Sequence, residues 1–214
     1  MAGQTDYTAQ KLLDWIVGKT DMPANGIAYV ALFTAVGVDD GTGFTEVSGG
    51  SYARVTTGSS DWNAASGSQP SSNSNAADLT FPTSTGSWGT VIGWGIFDDP
   101  TAGNLRAWDY LGNYDWLEFT CTLASPGVLT VPGHGFSNSD SVVVDAEFGG
   151  GSLPTTGGSW SGLLTVASVA TNTFTAGVNT TSVGSGMVRK VASQAIPSGA
   201  VFKFPASSFV LKAA

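Results

Sequence analysis

The chain has 214 residues, a formal net charge of −8 and only 11% charged residues, against roughly 25% in ordinary globular proteins. With 29 Gly, seven Trp and 11% aromatic residues, it is neither disordered nor a helical bundle, whose surfaces need many Glu, Lys and Arg. Its eight scattered basic residues exclude nucleic acid and a polybasic membrane contact as partners, and a polar surface built from Ser, Thr, Asn and Gly predicts an all-β fold.

Residues 6–17, DYTAQKLLDWIV, predict the one helix. Asp6 is expected to cap it, Ala9, Leu12, Leu13, Ile16 and Val17 share a broad face, and Gly18 suits the stop. Trp15 lies on the flank of that face, so the helix either caps the core or forms part of a contact. IAYVALFTA is apolar on both alternations, which predicts a strand buried on both sides. Gly37–Gly50 is a Gly/Asp/Ser loop and Tyr52–Thr57 a strand. Gly58–Ala77 is nearly all Ser, Asn, Ala and Gly apart from Trp62, which predicts a surface excursion or loosely paired edge strands. Strands are then predicted at Leu79–Phe81, Thr90–Phe97, Asn104–Leu111 and Asp115–Leu123, a spacing typical of a sandwich or barrel.

The texture changes at Ala124. Up to Lys190, Trp160 is the sole tryptophan, and Val, Thr and Gly dominate. Five short strands are predicted, at Val128–Val131, Ser141–Glu147, Leu163–Ala167, Thr173–Ala176 and Met187–Val191. Ala200–Phe204 and Ser208–Leu211 return to the earlier aromatic texture. The organisation expected is a β-sandwich main domain with one N-terminal helix, residues 1–122 plus 192–214. A small β-barrel module, residues 123–191, is inserted into it. Acidic character belongs to the first part, with four basic against thirteen acidic residues over 1–122.

Candidate chemistry is sparse. The one histidine, His134, sits in a Pro-Gly-His-Gly turn, and no G-x-S-x-G elbow accompanies it, so no serine-hydrolase triad is expected. One His and one Cys cannot build a structural zinc site within a single chain. Asp39-Asp40, Asp98-Asp99, Asp109, Asp115 and Glu118 are the carboxylates open to glycosidase chemistry, but adjacent aspartates in Gly- or Pro-flanked loops read as turn residues. Asp39–Gly43 offers hard oxygens for calcium without the spacing of an EF-hand loop. No catalytic, metal or cofactor site is therefore expected. Cys121 reads as a small buried apolar residue and Trp94, flanked by Gly93 and Gly95, as a core aromatic. Arg54 reads as half of an ion pair with Glu46 or Asp61. Trp62, Trp116 and Trp160 are the candidates for a surface that binds sugar. Residues Met1–Gln10 show neither a basic nor an apolar leader segment, so a cytoplasmically made protein is expected.

Three runs carry a resemblance: YVALFTAVGVDDGTGFTEVSGGSYARVTT, then FPTSTGSWGTVIGWGIFDD with GNLRAWDYL, then IPSGAVFKFPASSFVLK. Over most of 5–122 and 195–212 the chain resembles a bacteriophage virion protein family whose members are called tail fibre, minor tail or head decoration proteins. The inserted run GVLTVPGHGFSNSDSVVV with LTVASVATNTFTA is similar to a small β-barrel module named for ubiquitin-activating enzymes and found in phage tail proteins. The resemblance implies a non-enzymatic virion component, made in the host cytoplasm, that docks on the major capsid or tail protein and projects its inserted module. A carbohydrate- or receptor-binding module for host surface glycan is the alternative. A homo-oligomer, with a trimer favoured, is expected because Gly58–Ala77 has little to fold on within one chain.

Overall fold

The computed structural model describes residues 3–20, 26–67, 71–145, 152–155 and 160–213. Among the described residues the protein is all-β with one α-helix, and it divides into two compact units, Met1–Leu111 with Ser193–Ala214, and Gly112–Ala192. Of the expected strand Ser141–Glu147, Ala146 and Glu147 lie outside the described residues.

The first unit begins with β1 (Gly3–Gln4) and α1 (Asp6–Ile16), then β2 (Ile27–Ala35), β3 (Thr45–Glu46) and β4 (Val55–Gly58). It continues with β5 (Ser71–Ser74), β6 (Leu79–Thr80), β7 (Gly89–Val91), β8 (Gly93–Phe97) and β9 (Leu105–Tyr110). An antiparallel sheet runs in the order β1-β9-β8-β2-β3, with β4 also on β2. In β2, Val30, Ala31, Leu32 and Phe33 are all buried, as a run apolar on both alternations requires. The turn Glu46-Val-Ser-Gly-Gly closes with Gly49 at φ +71° and Gly50 at φ +54°, a left-handed pair that glycine adopts without steric cost.

The expected single strand Thr90–Phe97 is two strands, which belong to different sheets. At Ile92 the chain leaves one partner for another, and its N–H donates to the Phe33 carbonyl. Gly93 begins the new strand where an added Cβ would lie 2.4 Å from Val36 Cγ2 and 3.0 Å from the Asp109 carbonyl oxygen. That close approach explains the glycine.

The second unit holds β10 (Leu117–Cys121), β11 (Val128–Thr130), β12 (Ser141–Asp145), β13 (Leu164–Thr165), β14 (Thr173–Thr175) and β15 (Gly184–Val191). They form one antiparallel sheet in the order β13-β12-β15-β10-β11-β14. Phe119, Cys121, Leu129, Val142, Trp160, Phe174 and Val188 pack together as its core. β10 pairs with β15 and β11, inside this unit. Phe119 and Cys121 alternate into this core, whereas Leu123, in the expected strand Asp115–Leu123, lies beyond β10 and is exposed.

The chain then returns to the first unit as β16 (Gln194–Ile196), β17 (Lys203–Phe204) and β18 (Val210–Ala213). These pair antiparallel with β7, β6 and β5 in turn, so the C-terminal segment runs back along residues 71–91. It supplies Phe202, Phe204 and Phe209 to an aromatic core with Phe81 and Trp94. The described part of Gly58–Ala77 therefore pairs within its own chain, so the reason given above for expecting a trimer falls away. Asn75 is fully buried there. Its amide donates to the carbonyls of Ala77, Phe204 and Pro205 at 2.7, 3.3 and 2.8 Å, and its Oδ1 accepts the Phe209 N–H at 2.9 Å.

Candidate functional site

The helix presents the most conspicuous surface of the first unit. Its cap is Thr5, not Asp6: Thr5 Oγ1 accepts the Thr8 N–H at 3.4 Å and donates to the Leu105 carbonyl at 2.6 Å. Thr8 Oγ1 donates to the Arg106 carbonyl at 2.7 Å. The N-terminal turn is thus tied to β9 by polar contacts. The C-terminal half is not packed in the same way. No side chain of α1 is buried, and Leu13, Trp15, Ile16 and Val17 are 62%, 48%, 63% and 74% exposed. Gly18 stops the helix at φ +73°. An 11-residue helix is marginal on its own in water and ordinarily depends on a packed apolar face.

None of the three candidate tryptophans is fully exposed. Trp62 is half-buried in the first unit, donates from Nε1 to Thr57 Oγ1 at 3.1 Å and packs edge-on against Phe209. Trp116 is half-buried in the second unit, with the Arg189 guanidinium 5.1 Å from its ring centroid. Trp160 is buried in that unit's core and donates to the Pro154 carbonyl at 2.9 Å. Trp94 is buried against Phe209 and Cys121 lies in the core of the second unit. Burial pushes the Cys121 thiol above its ordinary pKa.

Arg54 pairs with Glu46. Its Nε and Nη2 donate to Glu46 Oε1 and Oε2 at 2.9 and 2.7 Å, and its Nη1 donates to the carbonyls of Asp99 and Ala102 at 2.7 Å each. The guanidinium lies 3.5 Å from the Phe97 ring centroid. The Tyr52 hydroxyl completes the group, accepting the Leu32 N–H and donating to Glu46, both at 2.9 Å. Burial drives its pKa far above the ordinary phenol range, and Glu46 adds to that. Asp61, the other partner considered for Arg54, instead accepts the Gly58 N–H at 2.7 Å.

The acidic pairs serve turns. Asp40 Oδ1 accepts from the N–H and hydroxyl of Thr42 at 2.8 and 2.7 Å, and Asp99 Oδ1 accepts the N–H groups of Thr101 and Ala102 at 2.9 and 2.8 Å. These bonds hold both carboxyls below the ordinary range. Asp39 accepts from Trp108 Nε1 at 3.0 Å. Among the described residues no three His, Cys, Asp or Glu side chains gather as a metal site would need. His134 is buried, accepts the Phe136 N–H at Nδ1 at 2.8 Å and faces the Ala170 carbonyl from Nε2 at 3.1 Å. The two contacts fit the Nε2–H tautomer, which keeps the ring engaged in its own turn.

Fold and surfaces together define an all-β protein whose one helix offers an exposed apolar face. Residues 3–117 match the family described as Podophage GP4 fiber I protein gp80. That is more than half of the chain, and the chain belongs to this bacteriophage fibre family, which makes it a virion component. The match ends at residue 117, so most of the second unit lies outside it. No curated protein matches the chain.

Proposed function

We propose that the chain is a non-enzymatic structural part of the phage fibre whose copies assemble through the C-terminal half of α1. The observation that carries this is the exposure of Leu13, Ile16 and Val17 on one side of the helix end, with Trp15 exposed on its flank. Those side chains offer roughly 400 Å² of apolar surface, taking about 100 Å² for each. That is the scale of the largest patch on a typical monomer. It is also about half of the ~800 Å² that each partner brings to an interface of standard size, enough for its apolar centre.

Charge supports a second copy as the occupant. The helix and its stop carry Asp6, Asp14, Lys11 and Lys19, which balance, whereas the remainder of residues 1–122 holds two basic against eleven acidic residues. Two copies meeting at α1 bring together the one locally neutral stretch of an acidic unit, which limits like-charge repulsion. The proposed assembly is a homo-oligomer. It docks on the major capsid or tail protein and projects the second unit, Gly112–Ala192, as a small barrel module.

Sedimentation velocity of the purified chain tests the proposal. The parent is expected to sediment as an oligomer and the double variant Leu13→Ser/Ile16→Ser as a folded monomer. A monomeric parent, or a variant that still assembles, overturns it.

A further inference from the structure

The outer face of the second unit's sheet holds a groove of about 370 Å³, within the size range of small-ligand sites. Three hydroxyl side chains cross it in register. Thr120 on β10 lies opposite Thr130 on β11 and, on its other side, opposite Ser185 on β15. Adjacent strands are about 4.8 Å apart, so the three hydroxyls form a row some 10 Å long. Glu118 stands two residues before Thr120 and therefore on the same face, opposite Met187. Pro132, two residues past Thr130, also lines the groove. The alternate residues Phe119 and Cys121 point the other way, into the core.

Hydrogen-bonding capacity is what marks this groove. Elsewhere in the chain, Thr5, Thr57, Thr180 and Ser84 spend their hydroxyls on main-chain carbonyls. The groove's own polar side chains face solvent: Glu118 and Thr120 are exposed and Thr130 and Ser185 half-buried, and none of the four makes a side-chain hydrogen bond among the described residues. Four polar groups thus line one solvent-open groove side by side, with donors and acceptors available to a ligand.

The chemistry selects a ligand class. Among the described residues no Lys, Arg or His lines the groove, and Glu118 repels anions, so phosphate, sulfate and carboxylate ligands are disfavoured. One carboxylate with three hydroxyls falls short of a divalent-cation site. An extended peptide adds to a sheet edge, and β10 is interior, flanked by β15 and β11. A neutral polyol suits every group present. A carboxylate accepts from two hydroxyls at once, and Ser and Thr both donate and accept.

We propose that this groove binds a neutral saccharide. Glu118 takes two neighbouring sugar hydroxyls, Thr120, Thr130 and Ser185 exchange hydrogen bonds with others, and Met187 and Pro132 pack against the ring's C–H face. The site is independent of the assembly proposed for α1, and its test reads a different property.

The test is saturation-transfer NMR on the full chain, with D-glucose, D-galactose, D-mannose, L-rhamnose and N-acetyl-D-glucosamine as separate probes and chondroitin sulfate as the anionic comparison. At least one neutral sugar is expected to give a signal and chondroitin sulfate none. Both Glu118→Gln and Thr120→Val/Ser185→Ala should weaken binding by about tenfold or more, the loss carried by one or two hydrogen bonds to a charged or convergent group. Near-UV circular dichroism checks that each variant keeps the parent fold. Absence of a signal from all five sugars overturns the proposal. So does binding that is unchanged in both folded variants, or binding of chondroitin sulfate as strong as that of the neutral sugars.

Discussion

Arg54→Ala removes a cation that ties three segments of the first unit together. Its side chain is 6% exposed and that of Glu46 is 26% exposed. Four charge-assisted hydrogen bonds are lost together, two to Glu46 and one each to the Asp99 and Ala102 carbonyls. The packing on Phe97 is lost with them. Glu46 is left partly buried with only the Tyr52 hydroxyl against it. Breaking a buried pair from one side costs about 3–5 kcal/mol. At about 2–4 °C per kcal/mol for a chain of this size, the unfolding midpoint of the first unit falls by roughly 10 °C. The assay is urea denaturation followed by tryptophan fluorescence, with Arg54→Lys and the double variant Arg54→Met/Glu46→Gln alongside. Lysine keeps the charge but cannot span the carboxylate and two carbonyls, so it recovers only part of the loss. The double variant removes the stranded carboxylate and is expected to be more stable than Arg54→Ala. A loss below about 1 kcal/mol for Arg54→Ala, the value of a solvated surface pair, refutes this account of the Arg54–Glu46 pair.

Asn75→Ala strips donors from three carbonyls and an acceptor from the Phe209 N–H, and is expected to cost about 2–4 kcal/mol in the same assay. Gly95→Ala places a methyl 2.6 Å from both Leu105 Cδ1 and Phe33 Cε2, so a loss of about 1–3 kcal/mol is expected from overpacking. Asp140 is pushed up by burial, but Lys190 at 2.8 Å and the Ser137 N–H outweigh it and leave its pKa lowered. Its stabilising contribution is present above the unfolded value of about 3.9 and is lost as pH falls through the lower folded value, so a melting series from pH 6 to about pH 2 should fall less steeply for Asp140→Asn. The Cys121 thiol, 4% exposed and raised by burial, should react with a chromogenic disulfide only slowly until denaturant is added.

Much of the strand content was legible because short-range patterning decides it. IAYVALFTA carries its two-sided burial in its composition, and Phe119 and Cys121 declare the inner face of β10 by alternation. The break at Ile92 was not legible, since Thr90–Phe97 reads as one apolar run and only the change of pairing partner divides it. Asn75 was hidden for another reason. It lies in a Ser/Asn/Ala run that looks like surface, and its burial depends on Phe204, Pro205 and Phe209 more than 120 residues away. The helix cap was missed by one residue because Thr5 and Asp6 are both good capping types, and the bond from Thr5 to Leu105 settles which one serves. Of the sites, the Arg54–Glu46 pairing was within reach of spacing and scarcity of charge, though Asp61 remained open until the geometry was known. The hydroxyl row of Thr120, Thr130 and Ser185 comes from three strands whose register no local pattern reveals.

Immunogold electron microscopy of purified virions, with an antibody raised against the chain, tests the central claim that it is a fibre component most directly. The account predicts gold on the fibres of intact particles, together with the chain's peptides in a digest of the same virions. Particles that carry neither label nor peptides would contradict it.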